Sequence, residues 1–308
     1  MIVTTYLPSD LEHAFLQELA ERGFDARIVP WSHTTAADRT QSEILVGWYV
    51  PQEVIDALPN LTWLQVAGAG VDWTLDLRIA DAVAVTRMVE GFGTDMAEFA
   101  LMAALAWVKD WSRLRTLQQQ RRWDPYLVRT LASLTVGVLG AGAIGQTIAK
   151  TFQPLVKEIR IMGRSRPQVP HIAGYRIDEA SAFYRDLDLL IIVVPLTPDT
   201  RSLVGESAFS LMREGGYVIN LARGAVIDTS ALIAAVTRQQ LSGAFLDVFE
   251  TEPLPPDAEL WSIPGITVSP HMAGITRAEV LAAHFMANFR RFRRQEPLIG
   301  MVDRTRGY

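Results

Sequence analysis

The chain has 308 residues, 49% of them hydrophobic and 20% charged, a balance that supports packed interiors and excludes wholesale disorder. It contains no cysteine, which excludes a disulfide scaffold, thiolate metal centres and a cysteine nucleophile, and suits a reducing, cytoplasmic compartment. The net charge of −5 gives no overall attraction for nucleic acid, no run of 18 uncharged apolar residues predicts a membrane span, and the first residues lack the pattern of a secretory leader.

At roughly 100–200 residues per domain, two domains are expected. Ile2–Tyr6 reads as a short strand closed by Pro8, and Ser9 as the cap of a helix to about Arg22. Strands are expected at Asp25–Val29, Ile44–Trp48, Leu64–Val66 and Val83–Thr86, with Pro51 opening a helix. This alternation is that of a parallel sheet flanked by helices. Thr94 to about Gln120 reads as one long helix, able to bridge two domains, with Trp107 and Trp111 packed at i,i+4 spacing. After an irregular stretch at 121–134 the alternation resumes. Strands are expected at Leu134–Leu139, Glu158–Met162, Leu189–Val194, Tyr217–Asn220, Gly243–Asp247 and Ile266–Ser269, with a helix at about 143–153. A final helix at about 275–294 ends in Arg290, Arg291, Arg293 and Arg294, cations that suit a helix C-terminus without any nucleic-acid role.

The sharpest local signal is Gly140-Ala141-Gly142-Ala143-Ile144-Gly145, entered by a strand and left by a helix. Gly140 permits the tight turn, Gly142 leaves room for a pyrophosphate and Gly145 allows close helix–strand packing, so the phosphates would meet the helix N-terminus. The next strand ends in Gly163-Arg164-Ser165-Arg166. An NAD site usually carries an acid here; two guanidinium groups and a hydroxyl instead suit a 2′-phosphate, which favours NADPH, with NADH as the second choice.

Three strand ends then carry reactive groups: Arg223 after Val218–Leu221, the acids of Asp247-Val248-Phe249-Glu250-Thr251-Glu252, and His271 after Ser269-Pro270. A guanidinium grips a carboxylate, and a histidine paired with an acid exchanges the proton that accompanies hydride transfer. His13, His33, His171 and His284 read as structural or exposed, no metal-ligand spacing occurs, and Ser165 lacks a nucleophile elbow.

Together these segments resemble the D-isomer-specific 2-hydroxyacid dehydrogenase family over essentially the whole chain. The resemblance is carried by Gly68-Ala69-Gly70-Val71-Asp72, the glycine fingerprint, Asn220-Leu221-Ala222-Arg223-Gly224, Leu246-Asp247-Val248-Phe249 with Glu252-Pro253-Leu254-Pro255, and Pro270-His271. The ending Val302-Asp303-Arg304-Thr305-Arg306-Gly307-Tyr308 narrows it to the branch that reduces glyoxylate or hydroxypyruvate. It implies an α/β fold of two doubly wound parallel-sheet domains, with a Rossmann-type cofactor domain (101–276) inserted into a flavodoxin-like substrate domain (1–100 and 277–308). It also implies a homodimer, a small 2-oxo acid as substrate, and no metal. Arg223 matches the substrate-binding and carbonyl-polarising arginine, His271 the acid/base and Glu252 its partner. Trp48, Ala69 and Gly70 match the substrate pocket and loop. Gly140, Gly142, Ala143, Ile144, Gly145, Arg164, Ser165, Arg166, Pro195 and Asp247 match the cofactor site, with Asp247 near the nicotinamide. Val89-Glu90-Gly91-Phe92-Gly93 matches only with a gap, and Gly47-Trp48-Tyr49 is bulky. A larger 2-oxo acid, such as a phenylpyruvate analogue, therefore stays open as an alternative, and, because a dinucleotide fold alone does not specify chemistry, so does a non-catalytic nucleotide sensor.

Overall fold

The computed structural model describes residues 1–307; the final residue of the C-terminal tail motif, Tyr308, lies outside them. The chain opens with β1 (Ile2–Tyr6), α1 (Ser9–Glu21), β2 (Arg27–Pro30), α2 (Ala36–Gln41), β3 (Ser42–Gly47), α3 (Gln52–Asp56), β4 (Trp63–Val66) and β5 (Ala84–Thr86). Helices α4 (Gly93–Val108) and α5 (Trp111–Gln119) follow, then β6 (Thr135–Leu139), α6 (Ala143–Phe152), β7 (Glu158–Gly163), β8 (Ala173–Arg176), α7 (Ala180–Tyr184) and β9 (Leu189–Ile192). The remainder is α8 (Glu206–Leu211), β10 (Gly216–Asn220), α9 (Thr229–Thr237), β11 (Leu241–Leu246), β12 (Ile266–Val268) and α10 (Ala278–Arg293). Two compact units result, one of Met1–Phe92 with Ile275–Tyr308 and one of Gly93–Gly274.

The first unit holds a five-stranded parallel sheet in the order β2-β1-β3-β4-β5, a flavodoxin-like arrangement. One face packs Leu45, Leu64, Val66 and Val85 against Val54 and Leu58. The other is aromatic: Trp63 stacks on Phe285 and Phe292, each at 5.4 Å, and Phe285 meets Phe15 edge-on at 5.8 Å. A buried polar chain crosses this core. Trp63 Nε1 donates to Thr86 at 2.7 Å, Thr86 donates to Gln65 Oε1 at 2.9 Å, and Asn288 of α10 donates to the Ile299 carbonyl at 2.9 Å while accepting its N–H at 2.7 Å. This is how the C-terminal segment is held: Val302 N–H then bonds to the Val85 carbonyl, and Arg304 to that of Ile79.

The second unit is a seven-stranded parallel sheet, β12-β11-β10-β9-β6-β7-β8, whose strand order reverses between β6 and β9. Its central strands are buried throughout, as helices on both faces require.

Two expectations change. Residues 94–120 do not form one helix. Asp110 takes a left-handed conformation (φ 49°), its carboxylate accepts the Arg113 N–H, and α5 starts afresh; Tyr126 OH bonds to the freed carbonyls of Lys109 and Asp110. An aspartate tolerates that conformation and is a strong cap, so the apolar period runs across a break it does not reveal. Nor do Trp107 and Trp111 pack together: Trp107 stacks on Tyr217 at 5.0 Å and Trp111 is 58% exposed. Smaller shifts occur at Ser9, which begins α1 without a side-chain cap, and at α10, which starts at Ala278.

Replacing the buried Asn288 by Ala removes both of its part-buried bonds to the Ile299 backbone and its contact with Gln65. We expect a loss of about 1–3 kcal/mol, read as a lower denaturant midpoint; an exposed control, Asn60→Ala, should stay close to wild type.

Candidate active site

In the second unit, the nucleotide-type loop sits where β6 passes into α6, at the reversal of strand order, which is where open α/β sheets bind ligands. Gly140 has φ 120°, and an added Cβ would lie 2.7 Å from the Val193 carbonyl oxygen; at Gly145 it would lie 1.7 Å from the Gly140 carbonyl oxygen. Both glycines are therefore demanded by geometry. Gly142 differs: nothing stands within 4 Å of its missing side chain, and it starts α6 with no side-chain cap. The space beside Gly142 is therefore open at the N-terminus of α6, surroundings that suit a pyrophosphate. Across the reversal, Val193 N–H bonds to the Leu139 carbonyl, and Pro195 follows with its carbonyl held by Thr200.

The end of β7 lies against this loop, since a Cβ at Gly163 would meet that of Ala141 at 2.8 Å. Arg164, Ser165 and Arg166 follow, all exposed. No carboxylate stands in that segment, yet the fold brings one there: Arg166 pairs with Glu179, which precedes α7. Glu179 lies thirteen residues on and gives no local signal.

The three reactive groups of this unit come from adjacent strand ends. After β10, Asn220 makes a turn with its own side chain, accepting the Ala222 N–H at 3.1 Å and donating to the Arg223 carbonyl at 3.0 Å, and so presents Arg223. The next residue, Gly224, lies so close to the following loop that a Cβ would be 2.0 Å from the Phe249 backbone. After β11, Glu252 is fixed twice: Oε1 accepts the Phe249 N–H at 2.8 Å, and Oε2 lies 2.6 Å from His271 Nδ1. His271 has φ 51°, a conformation that costs energy in a non-glycine residue. Its backbone N–H is bound by the Asp247 carbonyl at 2.8 Å.

Asp247 is 1% exposed, and its two carboxyl oxygens accept the N–H groups of Met272 at 3.0 Å and Ala273 at 2.9 Å. Its side chain thus also holds the histidine loop, a function that a strand-end aspartate does not announce in sequence. Half-burial pushes the Glu252 carboxyl up, but the His271 hydrogen bond, the Phe249 N–H and the charges of His271 and Arg223 outweigh it and hold it below the ordinary carboxylate value. Glu252 is therefore ionised at neutral pH, and the stability it contributes is lost only as the pH falls through that lowered value.

In the first unit, Trp48 follows β3, and its ring fills the space a side chain at Gly68 would take, 2.0 Å from the missing Cβ. The Ala67–Gly70 loop is pinned by Met88 N–H to the Gly68 carbonyl at 2.9 Å and by Thr276 Oγ1 to the Ala67 carbonyl at 2.7 Å. Trp48, Ala69 and Gly70 thus lie at one edge, next to Tyr49 and Trp73. Among the described residues no group of three or more His, Asp or Glu is placed to hold a metal, and no helix is long and apolar enough to cross a membrane.

Residues 101–273 match the NAD binding domain of D-isomer specific 2-hydroxyacid dehydrogenases. Glyoxylate/hydroxypyruvate reductase A from Klebsiella pneumoniae is 31% identical over 319 residues, covering 100% of both chains. Among solved structures, a D-isomer specific 2-hydroxyacid dehydrogenase from Xanthobacter autotrophicus Py2, in complex with NADPH and MES, is 28% identical with a TM-score of 0.92, covering 100% of this chain and 99% of that one. An NADPH-dependent glyoxylate/hydroxypyruvate reductase from Sinorhizobium meliloti, in complex with NADP and sulfate, is 26% identical with a TM-score of 0.93 at the same coverage.

Changing Gly145 to Ala should abolish nucleotide binding, or fold stability with it, because the Cβ has no space. Changing Gly142 to Ala should leave the melting temperature unaltered and weaken NADP+ binding alone, as measured by calorimetry.

Proposed function

Because the chain belongs to the D-isomer-specific 2-hydroxyacid dehydrogenase family, we propose that it reduces a small 2-oxo acid, glyoxylate or hydroxypyruvate, with NADPH. The observation that carries this reading is the fixed Glu252–His271 pair beside Arg223 at the strand ends of the nucleotide-binding sheet. The likeness to solved relatives in complex with NADPH or NADP supports the cofactor, as does the Arg164-Ser165-Arg166 segment.

The residues divide the work. Gly140, Gly142, Ala143, Ile144 and Gly145 would hold the pyrophosphate, Arg164, Ser165 and Arg166 the 2′-phosphate, and Pro195 and Asp247 would border the nicotinamide. When bound, the nicotinamide supplies the hydride. With Nδ1 on Glu252, His271 keeps Nε2 to hold the proton that the carbonyl oxygen receives. The ionised Glu252 keeps the ring oriented. The Arg223 guanidinium suits the substrate carboxylate in bidentate fashion. Together with the imidazolium it opposes the negative charge that grows on the oxygen. By likeness to the family, Trp48, Ala69 and Gly70 of the first unit would belong to the substrate-binding set. The aromatic set of Trp48, Tyr49 and Trp73 favours a second reading, in which a bulkier 2-oxo acid is preferred.

NADPH oxidation should be seen with glyoxylate or hydroxypyruvate in a panel that includes phenylpyruvate, and the absence of turnover with every 2-oxo acid would refute the assignment. His271→Ala should lower kcat by about 10²–10⁴ with NADP+ affinity kept. Glu252→Gln should lower kcat with NADP+ affinity kept, because the imidazole loses the carboxylate that orients it.

We place the active form as a homodimer. Support comes from the arm at 102–128, where Met102, Leu105, Trp111 and Leu114 are exposed and Trp123 and Leu127 are 99% and 102% exposed, more apolar surface than one segment of a monomer usually leaves in water. Light scattering should give twice the chain mass, and Trp123→Asp with Leu127→Asp should give the monomer.

A further inference from the structure

This inference rests on the placement of the 2′-phosphate at Arg164, Ser165 and Arg166. Arg166 Nη1 donates to the Gly174 carbonyl at 2.6 Å, and Nη2 donates to Oε1 of Glu179. The other Glu179 oxygen accepts the Arg176 N–H at 2.8 Å, so the carboxylate is anchored on the turn after β8 while it faces the cation. Arg176 is itself paired with Asp178, through Nε at 2.9 Å. The Asp178 carboxyl lies below its ordinary value through that bond first, and also through the charge of Arg166. Four charges therefore stand together with no net sign, although the linear segment 164–166 carries two cations and no carboxylate.

We infer that Glu179 sets how strongly this chain prefers NADPH to NADH, by competing with the 2′-phosphate for the Arg166 guanidinium. A phosphomonoester carries about −1.5 to −2 charges at neutral pH. To reach Arg166 it either displaces Glu179 or settles beside it, and both subtract from its affinity. The displacement is cheap enough to allow binding, because the pair is exposed (50% and 34%) and exposed pairs are weak. NADH meets the opposite situation. Its ribose presents a hydroxyl where NADPH has phosphate, and a carboxylate is the acceptor that NAD sites use for it. Glu179 thus supplies from the β8–α7 turn the kind of group absent from the end of β7. Glutamine at this position keeps an acceptor for the Arg176 N–H, so the turn survives the substitution.

Isothermal titration of the purified full-length protein with 2′,5′-ADP, NADP+ and NAD+ tests this. Glu179→Gln should bind 2′,5′-ADP and NADP+ roughly three- to tenfold more tightly, with NAD+ unchanged or weaker, and Asp178→Asn should alter NADP+ by less than about twofold. Unchanged or weaker NADP+ binding by Glu179→Gln overturns the inference, because the carboxylate then only positions Arg166; equal tightening of NAD+ and NADP+ overturns it as well. Arg166→Gln tests the underlying placement separately: if it binds 2′,5′-ADP as well as wild type, the phosphate is not held there, whatever Glu179→Gln does.

Discussion

One buried residue ties the reactive edge of the second sheet together. Asp247 accepts two N–H groups of the histidine loop on its side chain, accepts the His271 N–H on its carbonyl, and donates its own N–H to the Asn220 carbonyl. Three strand ends become one rigid object through a single position. The strained backbone of His271 is tolerable only because these bonds over-determine it. Orientation of the imidazole then needs just one more contact, to Glu252, which is itself locked by Phe249. Arg223 is delivered independently, by the side-chain turn of Asn220.

The parallel sheets were legible because buried parallel strands are continuous apolar runs closed by glycine or proline, and Leu189–Ile192 and Thr135–Leu139 are of that kind. The glycine loop was legible because each glycine answers a steric demand at fixed spacing, and Gly140 and Gly145 meet theirs. What escaped reading depends on contacts between distant segments. Ala173–Arg176 is a strand without apolar alternation, made by pairing with β7 alone. The break at Asp110 needs Tyr126 to satisfy the carbonyls it frees. Glu179 is remote in sequence from the arginine it meets.

Charge follows the same division. A chain of net −5 builds its candidate anion sites from single cations whose partners decide how available they are, and those partners come from other loops. Arg166 is met by a carboxylate, while Arg223 lowers the Glu252 carboxyl through space. Counting charges along a segment therefore describes the ligand class a site invites, and the folded neighbours decide how strongly it holds it.

The nesting of Trp48 over Gly68 constrains how this edge of the first sheet can change over generations. A side chain at 68 is blocked while the indole is in place, whereas a smaller residue at 48 leaves a void that a side chain at 68 can later fill. The two positions are thus epistatic with a fixed order: the tryptophan must go first. New shapes at this edge are reached by one mutational path and closed along the other.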